Sequence, residues 1–296
     1  MKSKLRKLLM DNKFVFTAET SPPDSGNKEL ITKQVKCLEG LADAINVTDG
    51  AGAKSHMSAL ATAAILAQSG IEPILQLTTR DRNRIAIQGD LLGGWALEIP
   101  NILCLYGDEV KGGDQPETKE VRDLDTIGLL KTAHEIKINK MYPSGRKISD
   151  APEFFIGGAD TPYKISNDFD GSNLRKKIDA GVEFFQTQYA FDEDILKNYI
   201  LKLNELNITD KAFFIVGLGV IKSAKSARWM NKNLFGINIP EKIISRIEKS
   251  NNENLEGIKI CVELINKYML IEGVSGVHLM GYKQEKEISS VISHFK

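Results

Sequence analysis

The chain of 296 residues has little cysteine, no excess of either charge and no long apolar run. Each shortage excludes something. Cys37, Cys104 and Cys261 lie far apart in apolar contexts. They form no CxxC pair and no even-numbered framework, which argues against a disulfide scaffold and for a reducing compartment, the cytoplasm. Lys and Arg together number 39, as do Asp and Glu. Binding to a phosphate backbone usually shows as a basic excess, so nucleic acid is not an expected partner. Nothing approaches ~18 uninterrupted apolar residues, and no transmembrane helix is expected. The basic start, MKSKLRKLLMDNKF, carries an apolar part of only Leu8, Leu9 and Met10, with no small-residue cleavage site behind it. It reads as an amphipathic first helix, not a signal peptide. No linker or shift of composition marks a second domain, so residues 1–296 are expected to form one. No metal site is expected.

What is present is ordinary in amount, 42% apolar and 26% charged, and regular in order. Eight short, mostly apolar runs are bounded by Gly, Pro, Asp or Asn, as buried parallel strands are. They are Phe14–Glu19, Ala42–Thr48, Glu72–Thr78, Asn101–Tyr106, Glu153–Ile156, Val182–Gln188, Ala212–Val216 and Val274–Met280. Helical patterns lie between them at Ser55–Ser69 (Ser55 as cap), Arg82–Leu97, Leu124–Asn139, Ser172–Ala180, Asp192–Leu206 and Lys222–Asn233. Pro240–Ile271 is long enough for two helices. Eight strand–helix units in a chain of this length close most economically into an α/β fold of the (β/α)8 TIM-barrel class, with an open doubly wound sheet as the alternative. The first strand is not followed by a Gly-rich phosphate turn, which weighs against the open sheet.

In such a barrel chemistry belongs at the C-terminal ends of the strands. Those ends carry Glu19; Thr48, Asp49 and Ala51; Gln76 and Thr78; Tyr106, Gly107 and Asp108; Ala159 and Asp160; Gln186 and Gln188; and His278. A purely structural barrel has no need of Glu19 and Gln188 on strands that are otherwise apolar. Taken alone, Glu19 reads equally as a strand-end salt-bridge partner, Asp108 as a loop cap, and the basic run after Asp170 as a solvated face.

The stretches FTAETSPP (16–23), NVTDGAG (46–52), LQLTTRDRNRIAIQGDLLGGWALEI (75–99), LYGDEVKGGDQP (105–116), NLRKKIDAG (173–181), TQYAFD (187–192) and SGVHLM (275–280) resemble the methylenetetrahydrofolate reductase family in order and spacing. The resemblance covers nearly the whole chain and corresponds to the family's catalytic barrel, without the C-terminal regulatory domain of larger members. It implies a cytoplasmic flavoenzyme with FAD as cofactor and NADH or NADPH as co-substrate. A hydride passes through the flavin in ping-pong fashion to 5,10-methylenetetrahydrofolate, giving 5-methyltetrahydrofolate. By the same resemblance Glu19 is the general acid that opens the folate's imidazolidine ring. Asp108 lies near flavin and folate, where negative charge stabilises the cationic iminium. Gln188 hydrogen-bonds the pterin. Thr48, Asp49, Ala51, Gln76, Tyr106 and Gly107 line the flavin ring and ribityl chain. Asp170, Asn173, Lys176 and Lys177 hold the cofactor at a helix start suited to a pyrophosphate, with Ala159 and Tyr163 toward the adenosine.

The chain departs from the family pattern at four places. Gln76 stands where many members have His, and GGADTPY after the fifth run lacks an aromatic–Pro pair. The last loop, GYKQEKE, places Lys283 or Gln284 where an Arg meets the folate tail, so Gln284 is a substrate-binding candidate and Lys222 or Lys225 an alternative. Val216–Met230 lacks the usual prolines. FMN and a different electron donor are therefore the alternatives for the cofactor and co-substrate. For function, the alternatives are a folate-binding barrel that transfers a methyl or methylene group without flavin, and a subunit docked on an electron-delivering partner. A homo-oligomer is also compatible.

Overall fold

The computed structural model describes residues 2–166, 168–234 and 236–296. Eight parallel strands, all hydrogen-bonded to their sequence neighbours and β8 to β1, form a closed barrel. They are β1 Val15–Thr20, β2 Ala44–Val47, β3 Pro73–Thr78, β4 Asn101–Leu105, β5 Phe155–Asp160, β6 Phe184–Tyr189, β7 Phe213–Leu218 and β8 Val274–Leu279. The helices are α1 Lys4–Met10, α2 Lys28–Val35, α3 Ala59–Gln68, α4 Arg84–Ala96, α5 Thr126–Asn139, α6 Ser172–Asp179, α7 Glu193–Glu205, α8 Ala224–Asn233, α9 Glu241–Glu248, α10 Glu253–Tyr268 and α11 Glu285–Ile292. The (β/α)8 TIM-barrel reading is correct. Among the described residues no helix is long and apolar enough to cross a membrane. The cysteines are unpaired, and burial pushes the Cys104 and Cys261 thiols up to about 12.

Side chains on a strand alternate faces with a period of two, so each strand presents a short inward series. At the bottom Val15, Ala44, Ile74, Leu103, Phe155, Phe184 and Ile215 form one apolar cluster with Leu5 and Leu9 of α1. The first helix, expected from its amphipathic pattern, thus plugs the N-terminal mouth, and each buried Leu contributes about 2 kcal/mol. Glu72 docks it: its carboxylate accepts from Ser3 Oγ (3.1 Å), Lys4 N (2.8 Å), Leu5 N (2.9 Å) and Asn101 Nδ2 (2.8 Å). A carboxylate on the first free amides of a helix also complements its dipole. Two residues further up, the same inward series turns polar, which places the chemistry at the opposite mouth.

Several boundaries differ from the sequence reading. β5 runs on to Asp160 instead of stopping at Ile156. Gly157, taken as a strand end, lies inside it, because a Cβ there would sit 2.3 Å from the Phe184 ring. That ring stacks on Phe155 at 4.6 Å. The helix placed from Ser55 starts at Ala59, with Ser58 as its cap. Two helices of eight residues each, α2 and α11, had no counterpart in the sequence reading. Pro240–Ile271 does divide into two helices, α9 and α10.

Candidate functional site

Glu19 of β1, Gln76 and Thr78 of β3, Gln188 of β6 and Met280, just past β8, line a cavity of about 420 Å³ at the C-terminal mouth. Glu19 Oε2 is approached by Gln76 Nε2 at 3.4 Å and by His278 Nε2 at 3.8 Å. Gln188 sits where the β6–β7 register slips, between Gln186 and Tyr189. Irregularities of this kind re-aim a side chain. Here Gln188 Oε1 accepts from Tyr189 N (3.0 Å), and its Nε2 has no protein partner among the described residues.

Two loops frame the mouth. Thr48, Asp49 and Ala51 follow β2, and Tyr106, Gly107 and Asp108 follow β4; all six line the cavity. The loops are tied together where Asp108 Oδ2 accepts from Gly52 N (2.6 Å). Gly107 has φ +87°, and a Cβ there would press on Arg80 and Thr78 Cβ at 3.0 and 3.1 Å, so only glycine lets the chain lie flat on β3. Buried Asp49 accepts from Thr78 N and Oγ1 (both 2.9 Å) and from Arg82 NH1 (2.7 Å) and NH2 (3.2 Å). Arg82 also donates to Asp90 (2.8 Å). Arg82 was not singled out from sequence, although its motif was.

The 107–123 segment is pinned at its ends by arginines. Arg122 donates to Tyr106 O (2.8 Å) and lies 3.7 Å over the Tyr106 ring. Its hydrogen bonds push the Glu120 carboxyl down to about 2, as those of Arg84 do for Asp123. A carboxyl lowered in the folded state stabilises it at neutral pH and loses that contribution as pH falls. We expect the segment to stay protected from hydrogen exchange down to about pH 4.5 and to loosen between there and about pH 2. Loss of protection already at pH 6 would show that other contacts hold it.

A second cavity, about 570 Å³, shares Ala159, Asp160 and Thr161 with the first, so the two are adjacent. Tyr163, Asp170, Asn173 and Lys177 line it, with Phe169 and Tyr199. Lys177 Nζ donates to Ala159 O (2.6 Å). Asp170 Oδ1 accepts from Ser172 N (2.9 Å) at the start of α6. Asp160 is half-buried and lines both cavities, and Tyr199 donates to both its oxygens (3.1 and 3.0 Å). Burial pushes the Asp160 carboxyl up and the Lys177 ammonium down, each partly offset by the other's charge.

Two expected residues fall outside. Lys176 is exposed and lines neither cavity, because adjacent helical residues lie about 100° apart and Lys177 takes the inward direction. Gln284 folds against Gly281, its Oε1 buried without a hydrogen-bond partner among the described residues. Lys222 is occupied by Glu287 at 2.9 Å. A third cavity, about 490 Å³, meets the first at Ala51 and carries Lys54 and Lys283. Among the described residues no group of three His, Cys, Asp or Glu is arranged to hold a metal ion. His278, Asn46, Gln186, Asp160 and Tyr199 had no assigned role in the sequence reading.

The methylenetetrahydrofolate reductase family model matches residues 4–296. A probable methylenetetrahydrofolate reductase (NADPH) of Caenorhabditis elegans is 23% identical over 98% of the chain, and the chain spans 43% of its length. The 5,10-methylenetetrahydrofolate reductase of Salmonella typhimurium is 25% identical over 77% of the chain, covering 71% of that protein. Most curated relatives compared are about twice as long as the chain. Among solved structures, a Clostridium thermocellum protein described as binding two copies of 5-methyl-5,6,7,8-tetrahydrofolic acid superposes with TM-score 0.67 at 16% identity, covering 99% of this chain and 98% of its own. That likeness shows the fold. With a match from the first helix to the last residue, the chain belongs to the methylenetetrahydrofolate reductase family.

Proposed function

We propose that this chain reduces 5,10-methylenetetrahydrofolate to 5-methyltetrahydrofolate with a flavin and NADH or NADPH. The observation that carries the reading is the convergence of Glu19 from β1 and Gln188 from β6 on one cavity that adjoins the one lined by Lys177. Such a pair can hold a ring with an amide-rich edge and deliver a proton beside it. When bound, a flavin supplies hydride transfer, first from the nicotinamide and then to the folate. Glu19 gives a proton to the bridging nitrogen that leaves as the imidazolidine ring opens. Gln188 offers its Nε2 to the pterin. Asp108 places negative charge at the rim, opposite the cationic iminium.

The residues present suit a flavin in size and chemistry. The two cavities adjoin at Ala159–Thr161, and the second has aromatic walls for an adenine and a lysine and a helix start for a nucleotide phosphate. This favours FAD over FMN. Thr48, Asp49, Ala51, Gln76, Tyr106 and Gly107 stand around the ring end, and Ala159, Tyr163, Asp170, Asn173 and Lys177 around the nucleotide end. The folate tail lies toward Ala51, where Lys54 and Lys283 meet its carboxylates.

Purified protein is expected to be yellow and to release FAD on heating; a colourless preparation that takes up no flavin would contradict the reading. Lys177→Ala is expected to weaken FAD binding about tenfold or more, the worth of one charged hydrogen bond, whereas Lys176→Ala leaves it unchanged. Equal effects, measured by flavin titration, would place the phosphates elsewhere.

A further inference from the structure

Beneath the cavity the barrel interior carries a polar layer where branched apolar side chains ordinarily pack. Thr17, Asn46, Gln186 and His278 come from four strands and are at most 3% exposed. Burying such groups is costly unless every one is hydrogen-bonded, and here they form one chain. Asn46 Nδ2 donates to Gln186 Oε1 (2.6 Å), and Gln186 Nε2 donates back to Asn46 Oδ1 (3.0 Å). The second proton of Gln186 Nε2 goes to Thr17 Oγ1 (3.0 Å). Thr17 Oγ1 lies 3.0 Å from His278 Nδ1. Having accepted from Gln186, the hydroxyl keeps one proton to give and one lone pair to accept with. When it gives that proton to Nδ1, the ring proton of His278 stands on Nε2, the nitrogen that faces Glu19.

Nε2 faces Glu19 Oε2 at 3.8 Å, and Gln76 Nε2 reaches the same oxygen at 3.4 Å. Gln76 thus donates to Oε2, His278 Nε2 stands just outside hydrogen-bond distance of the same oxygen, and Oε1 has no protein partner among the described residues. A protonated carboxyl accepts through one oxygen and donates through the other. We propose that His278 is a positioning residue for Glu19: its Nε2–H, fixed by the Thr17–Gln186–Asn46 chain, makes Oε2 the acceptor and leaves the transferable proton on Oε1, toward the cavity. The role of Glu19 as proton donor rests on the proposed function; the tautomer and the contact do not.

The test separates the two. The chain has four histidines, so imidazole 15N resonances are assignable by single substitution. The expected result is His278 protonated on Nε2, its Nε2 resonance moving on Glu19→Gln, and the Nδ1–H form appearing on Thr17→Val. A proton on Nδ1 in the wild type, or no response to Glu19→Gln, overturns the proposal whatever the protein reduces. In the folate half-reaction, His278→Leu and His278→Asn are expected to slow reoxidation of the reduced protein at saturating folate, by up to about 100-fold. Folate affinity and reduction by NAD(P)H stay near wild type. His278→Gln, whose amide nitrogen overlies Nε2, recovers most of the rate, because Asn overlies Nδ1 instead. Equal rates for Gln and Asn would mean that His278 only fills space.

Discussion

Glu19→Gln is expected to reduce the folate half-reaction by about 10²–10⁴-fold, the usual contribution of a positioned acid. The other half-reaction is expected to continue at close to its normal rate. The substitution keeps the shape of the side chain and an oxygen for Gln76 and His278, and removes only the proton that can be transferred. Hydride transfer from NAD(P)H needs no acid from the protein, so rapid mixing of the variant with NADH or NADPH should still bleach the flavin. Mixing the reduced variant with methylenetetrahydrofolate should then leave it reduced. A loss shared equally by both half-reactions would make Glu19 structural.

Arg82→Leu is expected to be the most destabilising single change at the mouth, by about 3–5 kcal/mol, because it leaves a buried carboxylate uncompensated. Asp49 is 8% exposed and takes two of its four hydrogen bonds from Arg82. Asp90 loses its partner as well. Urea denaturation measures the loss. Adding Asp49→Asn is expected to restore part of it, since the charge that Arg82 neutralises is then gone. A single-variant loss below about 1 kcal/mol would place Arg82 among weakly contributing surface pairs.

Arg82 also illustrates where sequence reading stops. The alternation of strand-like and helical segments made the barrel legible. Glu19 and Gln188 were legible as polar residues at the ends of strands that are otherwise apolar. The segment TTRDRNR carried the resemblance, but nothing in it tells which arginine turns inward on Asp49 and which, like Arg84, turns out to Asp123. Likewise 176 and 177 are both lysines in a helical run, and only packing chooses Lys177. α2 buries just Ile31 and Val35, too few positions for a helical period to stand out. Gly157 and Gly158 read as a strand end, yet glycine inside a strand also marks a close approach, here of the Phe184 ring. The pairs Thr17–His278 and Asp160–Tyr199 join residues 261 and 39 positions apart. No local pattern signals them, although each strand-borne polar residue was visible.

Anaerobic reoxidation shows whether the reduced flavin gives its hydride to the folate. The FAD-loaded protein, reduced chemically so that no assumption about the physiological donor enters, is mixed with 5,10-methylenetetrahydrofolate. The expected result is return of the oxidised flavin spectrum with formation of one 5-methyltetrahydrofolate per flavin. A flavin that stays reduced while saturating folate is bound would contradict it.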